Sequence, residues 1–335
     1  MLLERICTYR KGKQTAERKV HRMNEKTRIL IEEMKKQTIG VEVEMYNITR
    51  KKAARTIAEY FHTEGTVKYI GGSYSAWACK DNKGREWKIT RDSSIQAASD
   101  DEKAELGTPI LTYEDIPDLQ EILRQLRHKG AKSDPVHMCG VHIHIGLNGH
   151  TPKSLRNLAN IMASHESLLI SAMRLDRNRI NRYCRTVDPS FLERLNRRKP
   201  KTMERLADIW YEGVWGSRNQ HYNDSRYRML NYHACFTHKT IEFRCFQFAN
   251  AGNGRKGGLH AGELKSYIQL CLALSQMAKT VASASPKQPQ VENPKYAMRT
   301  WLLRLGFIGD EFATARDILT KNLEGDTAFR HGRAA

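Results

Sequence analysis

The stretch Ile39-Gly40-Val41-Glu42-Val43-Glu44-Met45 constrains the fold more than any other part of the chain. An extended strand points successive side chains to opposite faces, so Ile39, Val41, Val43 and Met45 form one apolar row. Glu42 and Glu44 share the other face, about 7 Å apart along the strand. An apolar row must be covered by a second layer. The two carboxylates are left facing water, a cleft or a cation.

The pattern recurs three times. Gly140-Val141-His142-Ile143-His144-Ile145 sets His142 and His144 opposite an apolar row. Thr240-Ile241-Glu242-Phe243-Arg244-Cys245 does the same with Glu242 and Arg244, and Glu86-Trp87-Lys88-Ile89-Thr90-Arg91-Asp92 with Lys88, Thr90 and Asp92. Each segment has a bland explanation on its own. A Glu-x-Glu strand is commonly a solvated sheet face, histidine tolerates partial burial, and a surface Glu-x-Arg pair is worth little. Solvated faces would carry Lys, Thr, Ser and Gln, however. Glu, His and Arg gathered on four strands indicate one sheet, backed by helices, with a chemically loaded face.

The chain's 335 residues suffice for one large core or two modest ones. Its 40% hydrophobic content is spread out, so no run approaches the roughly 18 apolar residues of a membrane span. The N-terminus is charged, unlike a secretory signal. Seven cysteines, an odd number without Cys-x-x-Cys spacing, favour buried thiols and a reducing cytoplasm. A net charge of +19 and a pI near 9.7 favour anionic partners such as nucleotides, acidic peptides or nucleic acid. The excess is clustered: residues 1–38 hold eleven Lys/Arg against five Asp/Glu, and residues 174–205 eleven against four. The second run, with Arg182 and Arg185 around Tyr183, looks like a phosphate clamp.

Residues 1–37 lack a clear apolar face and are expected to form a basic helical extension, with Met23 and Met34 as further possible starts. A catalytic domain over 38–282, a linker over 283–294 and a helical segment over 295–335 follow. Within the domain, a helix over about 49–62 starts at Thr49. A hairpin turns at Asp81-Asn82-Lys83-Gly84. A helix over about 115–129 stops at Gly130, and a long one starts at Thr151-Pro152. A basic helical region runs to about 225, and a further helix covers about 259–281. Strands interspersed with helices and joined partly by turns predict an α+β fold with a curved, mainly antiparallel sheet.

Gly252-Asn253-Gly254-Arg255-Lys256-Gly257-Gly258 matches a dinucleotide-binding fingerprint. No parallel strand with a terminal acid follows it, so a Rossmann unit is not expected; a loop bringing Arg255 near phosphate is. No G-x-x-x-x-G-K-[ST] loop occurs. Carboxylates on one face gather hard divalent cations, which bridge to nucleotide phosphates, and Arg or Lys stabilises a phosphoryl group in flight. That combination fits ATP activating a carboxylate for attack by an amine.

Five motifs carry a specific resemblance: Gly40-Val41-Glu42-Val43-Glu44, Trp87-Lys88 with Asp92-Ser93-Ser94, Glu105-Leu106-Gly107-Thr108-Pro109-Ile110-Leu111, Cys139-Gly140-Val141-His142-Ile143-His144, and Thr240-Ile241-Glu242-Phe243-Arg244. In this order, over about residues 38–281, they resemble the amidoligase family, whose catalytic domain is similar to those of glutamine synthetase and glutamate–cysteine ligase. The resemblance implies ATP and Mg²⁺ or Mn²⁺ as cofactors. It implies metal-binding roles for Glu42, Glu44, Glu242 and His142, and assigns Glu105 to the metal site as well. His144 would lie by the nucleotide and Arg244 by the transferring phosphate. Lys88, Asp92 and Arg185 join the catalytic set, and Arg228 and Asn231 the phosphate or substrate site. Thr108 stands where the family usually has Ser. The implied partners are a carboxylate and an amine, free or on a peptide or protein, with nucleic acid not favoured and no membrane. Two other readings stay open: a metal-dependent hydrolase built on His142 and His144, and a basic nucleic-acid-binding protein without catalysis.

Overall fold

The computed structural model describes residues 25–249 and 258–328. The alternating segments become strands of a single sheet. These are β1 (Ile39–Met45), β2 (Lys68–Gly71), β3 (Ala76–Lys80), β4 (Glu86–Thr90), β5 (Ala104–Gly107), β6 (Val141–Gly146), β7 (Leu230–Asn231) and β8 (Thr240–Phe246). Their order is β2-β3-β4-β5-β1-β6-β8-β7, and every pairing among them is antiparallel. β1 therefore lies inside the sheet between β5 and β6. The register sets Glu44 opposite Glu105, Glu42 opposite His142, and His144 opposite Glu242. The fold is α+β, with an open sheet.

The helices are α1 (Glu25–Lys35), α2 (Arg50–Phe61), α3 (Ile116–His128), α4 (Pro152–Met173), α5 (Arg177–Arg182), α6 (Pro189–Arg198), α7 (Met203–Tyr211), α8 (His233–Thr237), α9 (Ala261–Thr280), α10 (Pro294–Arg304) and α11 (Ala313–Thr320). α9 packs against β6 and against α1, α3, α4 and α11, while α2 packs on β3, β4 and α3. Between these helices and the sheet lies the core. Val41, Val43, Met45, Ile143, Ile145, Ile241 and Phe243 are all buried there. Among the described residues, no helix is long and apolar enough to cross a membrane.

Local chemistry sets the element ends. The Thr49 hydroxyl accepts the Lys52 N–H at 3.2 Å to cap α2, and Thr151 caps α4 through Ser154. At the β3–β4 turn, Asp81 Oδ1 accepts the N–H groups of Lys83 and Arg85, both at 2.9 Å. Gly84 takes φ +76° there, a conformation open to glycine at no steric cost.

The structure differs from these expectations in four places. The stretch before β1 does have an apolar face, because α1 buries Ile31 and Met34 against the core; two apolar residues one turn apart are too few to register as a period among many charges. Helix does not run to residue 225. It ends at Tyr211, since Gly213 and Gly216 take φ +81° and +97°, and the loop that follows leaves Trp215 95% exposed. The two-residue strand β7 was too short to be seen. The segment after α9 runs along α4, where Asn160 and Gln288 donate to the carbonyls of Ala284 and Ala163 at 3.0 and 3.2 Å. Arg255 and most of its glycine-rich loop lie outside the described residues.

Two outcomes follow for stability. Ile31→Ala should destabilise the fold by about 2 kcal/mol, measured as a shift in the urea midpoint. Asp115 is buried beside Arg85 (2.8 Å) and Lys83 (2.6 Å). Burial raises its carboxyl, but those cations and the Thr112 N–H outweigh that and hold it below the ordinary range. A depressed folded-state pKa gives stability that is complete above the unfolded value of about 4 and is lost as pH falls through the folded one. Asp115→Asn should therefore flatten the loss of stability between about pH 5 and pH 2 in pH-resolved urea melts.

Candidate active site

The polar face opens into a cavity of ≈ 950 Å³ lined by Glu42, Glu44, Asp92, Glu105, His142, His144, Asn231, Glu242 and Arg244, among others. Glu42 joins both histidines: its Oε2 is 2.8 Å from His142 Nδ1 and its Oε1 3.4 Å from His144 Nε2. His144 Nδ1 meets the Thr240 hydroxyl at 3.0 Å. Glu242 takes a short contact from Arg244 Nη1 on one oxygen and a 2.6 Å bond from Asn231 Nδ2 on the other. Asn231 is itself fixed by accepting the His233 N–H at 2.8 Å. The β7 fragment thus orients one carboxylate through Asn231. Thr108 has a structural part, its hydroxyl accepting the Val41 N–H at 2.9 Å.

Charge on this face is divided sharply. Burial raises the Glu42 carboxyl, yet His144 and His142 more than offset it, leaving it well below the ordinary range. Glu242 is likewise raised by burial and lowered by Arg244 and His144, ending at about 2. Glu105 goes the other way: burial first, then Glu42, Glu44 and Asp92, push its carboxyl well up. For His144 burial lowers the ring, but Glu242 and Glu42 raise it overall. Burial pushes the Cys139 thiol up, which makes it a poor nucleophile.

Three residues expected at the site stand apart from the cavity wall. Lys88 occupies the same cross-strand row as Gly107 and Glu42, but its ammonium is out in solvent, 3.5 Å from Glu86. Arg185 pairs with Asp224 at 2.9 Å and Arg228 with Asp188 at 2.8 Å. The cation that the basic run does send into the cavity is Arg179, with Tyr183 beside it in the lining. Nothing in the run distinguishes Arg179 from its neighbours. Tyr74 and Tyr222 also line the cavity, their hydroxyls 2.6 Å apart.

The donors fit divalent cations. Glu42, Glu105 and His142 form one group whose ligand atoms lie within 4.8 Å of one another; Glu42, His144 and Glu242 form a second, and Glu44, Asp92 and Glu105 a third. Oxygen-rich sets of this kind suit Mg²⁺ or Mn²⁺. His144 Nε2 is buried and, among the described residues, makes no well-formed hydrogen bond, its nearest carboxylate being Glu42 at 3.4 Å; a ligated ion would satisfy it. A cation at a hundred times its Kd should stabilise the fold by about 2.7 kcal/mol. Thermal melting with and without MnCl₂ checks this, and Glu42→Gln, common to two of the groups, should remove most of the rise.

No curated protein matches the chain by sequence. Among solved structures, a bifunctional glutathione synthetase from Pasteurella multocida is similar over 89% of this chain and 49% of its own, with 12% identity and a TM-score of 0.43. The chain thus spans about half the length of that protein. The family described as "Putative amidoligase enzyme" matches residues 35–275. That match covers most of the chain, and the protein belongs to this amidoligase enzyme family.

Proposed function

We propose that the protein is an ATP-dependent carboxylate–amine ligase that forms an amide or isopeptide bond through an acyl phosphate. One observation carries this reading: five carboxylates, two histidines and the buried Arg244 line one cavity on the polar side of the sheet. Few reactions need so many metal-type ligands together with buried cations; phosphoryl transfer to a carboxylate does. The polar inner face and the motif order also support a catalytic domain of the glutamine synthetase and glutamate–cysteine ligase kind.

In this scheme a substrate carboxylate oxygen attacks the γ-phosphorus of ATP, and the bond to the β-phosphate oxygen breaks to release ADP. An amine then attacks the acyl carbon, inorganic phosphate leaves with the bonding pair, and the amine gives up a proton. Glu42, Glu44, Asp92, Glu105, His142 and Glu242 would hold the cations. Bound Mg²⁺ or Mn²⁺ supplies charge that offsets repulsion within the triphosphate. Arg244, kept positive and dry beside Glu242, stabilises the extra negative charge on the γ-phosphoryl group. His144, which groups with Glu42 and Glu242, would hold a cation beside the nucleotide. Lys88, Arg185 and Arg228, engaged with other acids, take no step.

Arg244 also neutralises a buried carboxylate, so Arg244→Lys is the appropriate variant. Replacing the guanidinium by an ammonium should cost on the order of 3 kcal/mol of transition-state stabilisation, about a hundredfold in rate. Phosphate release from ATP across pooled amino acids and peptides measures it, alongside calorimetry of ATP with and without Mg²⁺. Equal ATP affinity in both titrations would sink the metal-bridged scheme. Turnover without ATP, lost only in His142 or His144 variants, would make the protein a hydrolase.

A further inference from the structure

Arg179 projects from α5 into the cavity floor, yet it has no role in the scheme above. Its side chain is 2% exposed. Its Nη1 lies 3.8 Å from Glu44 Oε2, a carboxylate oxygen that already accepts the Gly140 N–H at 2.5 Å. The remaining guanidinium contacts are long, 3.4 Å to the Met138 carbonyl and 3.5 Å to that of Phe246, and Nε has no partner among the described residues. A buried guanidinium held this loosely is not explained as structural support, because desolvating it costs more than such contacts return.

Gly140 supplies the second observation. A Cβ built there would fall 2.0 Å from Arg179 Nη2 and 2.4 Å from its Cζ. Gly140 is not in the left-handed region, so its backbone makes no demand for glycine. What the missing side chain provides is room for the guanidinium next to Glu44. The backbone N–H and the guanidinium together claim Oε2. The other oxygen, Oε1, lies 3.7 Å from His142 Nε2, and Glu44 groups with Asp92 and Glu105.

We infer that Arg179 and Gly140 act as one device that aims Glu44 at a divalent cation, making Arg179 a positioning residue for the cation shared with Asp92 and Glu105. This rests on the metal-dependent ligase reading. Groups that orient a ligating carboxylate typically change metal affinity by 10–100-fold when removed.

Two explanations of Arg179 predict opposite signs. If its charge merely sits near the site, deleting it relieves repulsion and Mn²⁺ binds more tightly. If it aims Glu44, deleting it weakens Mn²⁺. The experiment is calorimetric titration of Mn²⁺, without ATP, into full-length wild type, Arg179→Met and Gly140→Ala, with thermal melting to confirm folding. Both variants should lose 10- to 100-fold in affinity at one class of site, while binding through Glu42, His144 and Glu242 persists. Gly140→Ala retains the arginine and displaces only the far end of a flexible side chain, so it reports if Arg179→Met does not fold. Unchanged or tighter Mn²⁺ binding in the folded variants overturns the inference and leaves the ligase reading standing. A wild type that binds no Mn²⁺ overturns both.

Discussion

Glu44 and Glu105 face each other across adjacent antiparallel strands, and the rest of the polar face is organised around that repulsion. Like charges directly opposite on a sheet are destabilising, and here Glu42 and Asp92 stand close enough to add to it. The fold answers with buried cations and ring nitrogens. Arg244 holds Glu242, the histidines hold Glu42, and Arg179 with the Gly140 N–H holds one oxygen of Glu44. Among the described residues Glu105 receives only the Thr90 hydroxyl at 3.3 Å, too little to offset burial and the neighbouring Glu42, Glu44 and Asp92, which push its carboxyl up. A face left short of positive charge at one point is suited to receive it from a bound cation.

Such a face needs a scaffold that does not relax. The functional groups sit largely on strands inside the sheet, whose opposite side is sealed by α2, α3 and α9. Elements of this rigidity hold side-chain geometry more precisely than loops do. The cavity mouth is built differently. Tyr74 comes from the β2–β3 turn and Tyr222 from the loop beyond α7, and both are partly exposed. Floor and rim thus divide the work: a preorganised charged floor, and a rim of loops on which substrate choice would rest.

Much of the floor was legible in the chain. The two-residue period of Glu42/Glu44, His142/His144 and Glu242/Arg244 specified which side chains would share a face, and all six line the cavity. What period does not encode is reach and partner. Lys88 is on the correct face in the correct row, but its flexible ammonium goes to Glu86. Arg185 sits in a basic run that reads as a clamp, and Arg228 just before the Glu-x-Arg strand, yet Asp224 and Asp188, remote in sequence from their arginines, take them up. Asn231 does line the cavity, and its amide bonds Glu242, a partner that the sequence does not record.

The sequence by itself determined the strand segments, their polar and apolar faces, most helix starts and the chemical character of the site. All of these are local properties, set by side-chain alternation and capping within a few residues. The tertiary structure alone decided strand order, the facing of Glu44 and Glu105, the selection of Arg179 from eleven basic residues in its run, and the burial of Ile31 and Met34 by α1. Each depends on segments far apart in the chain meeting in one register. A cation's role there is set by which carboxylate lies within about 4 Å, a distance that no local pattern records.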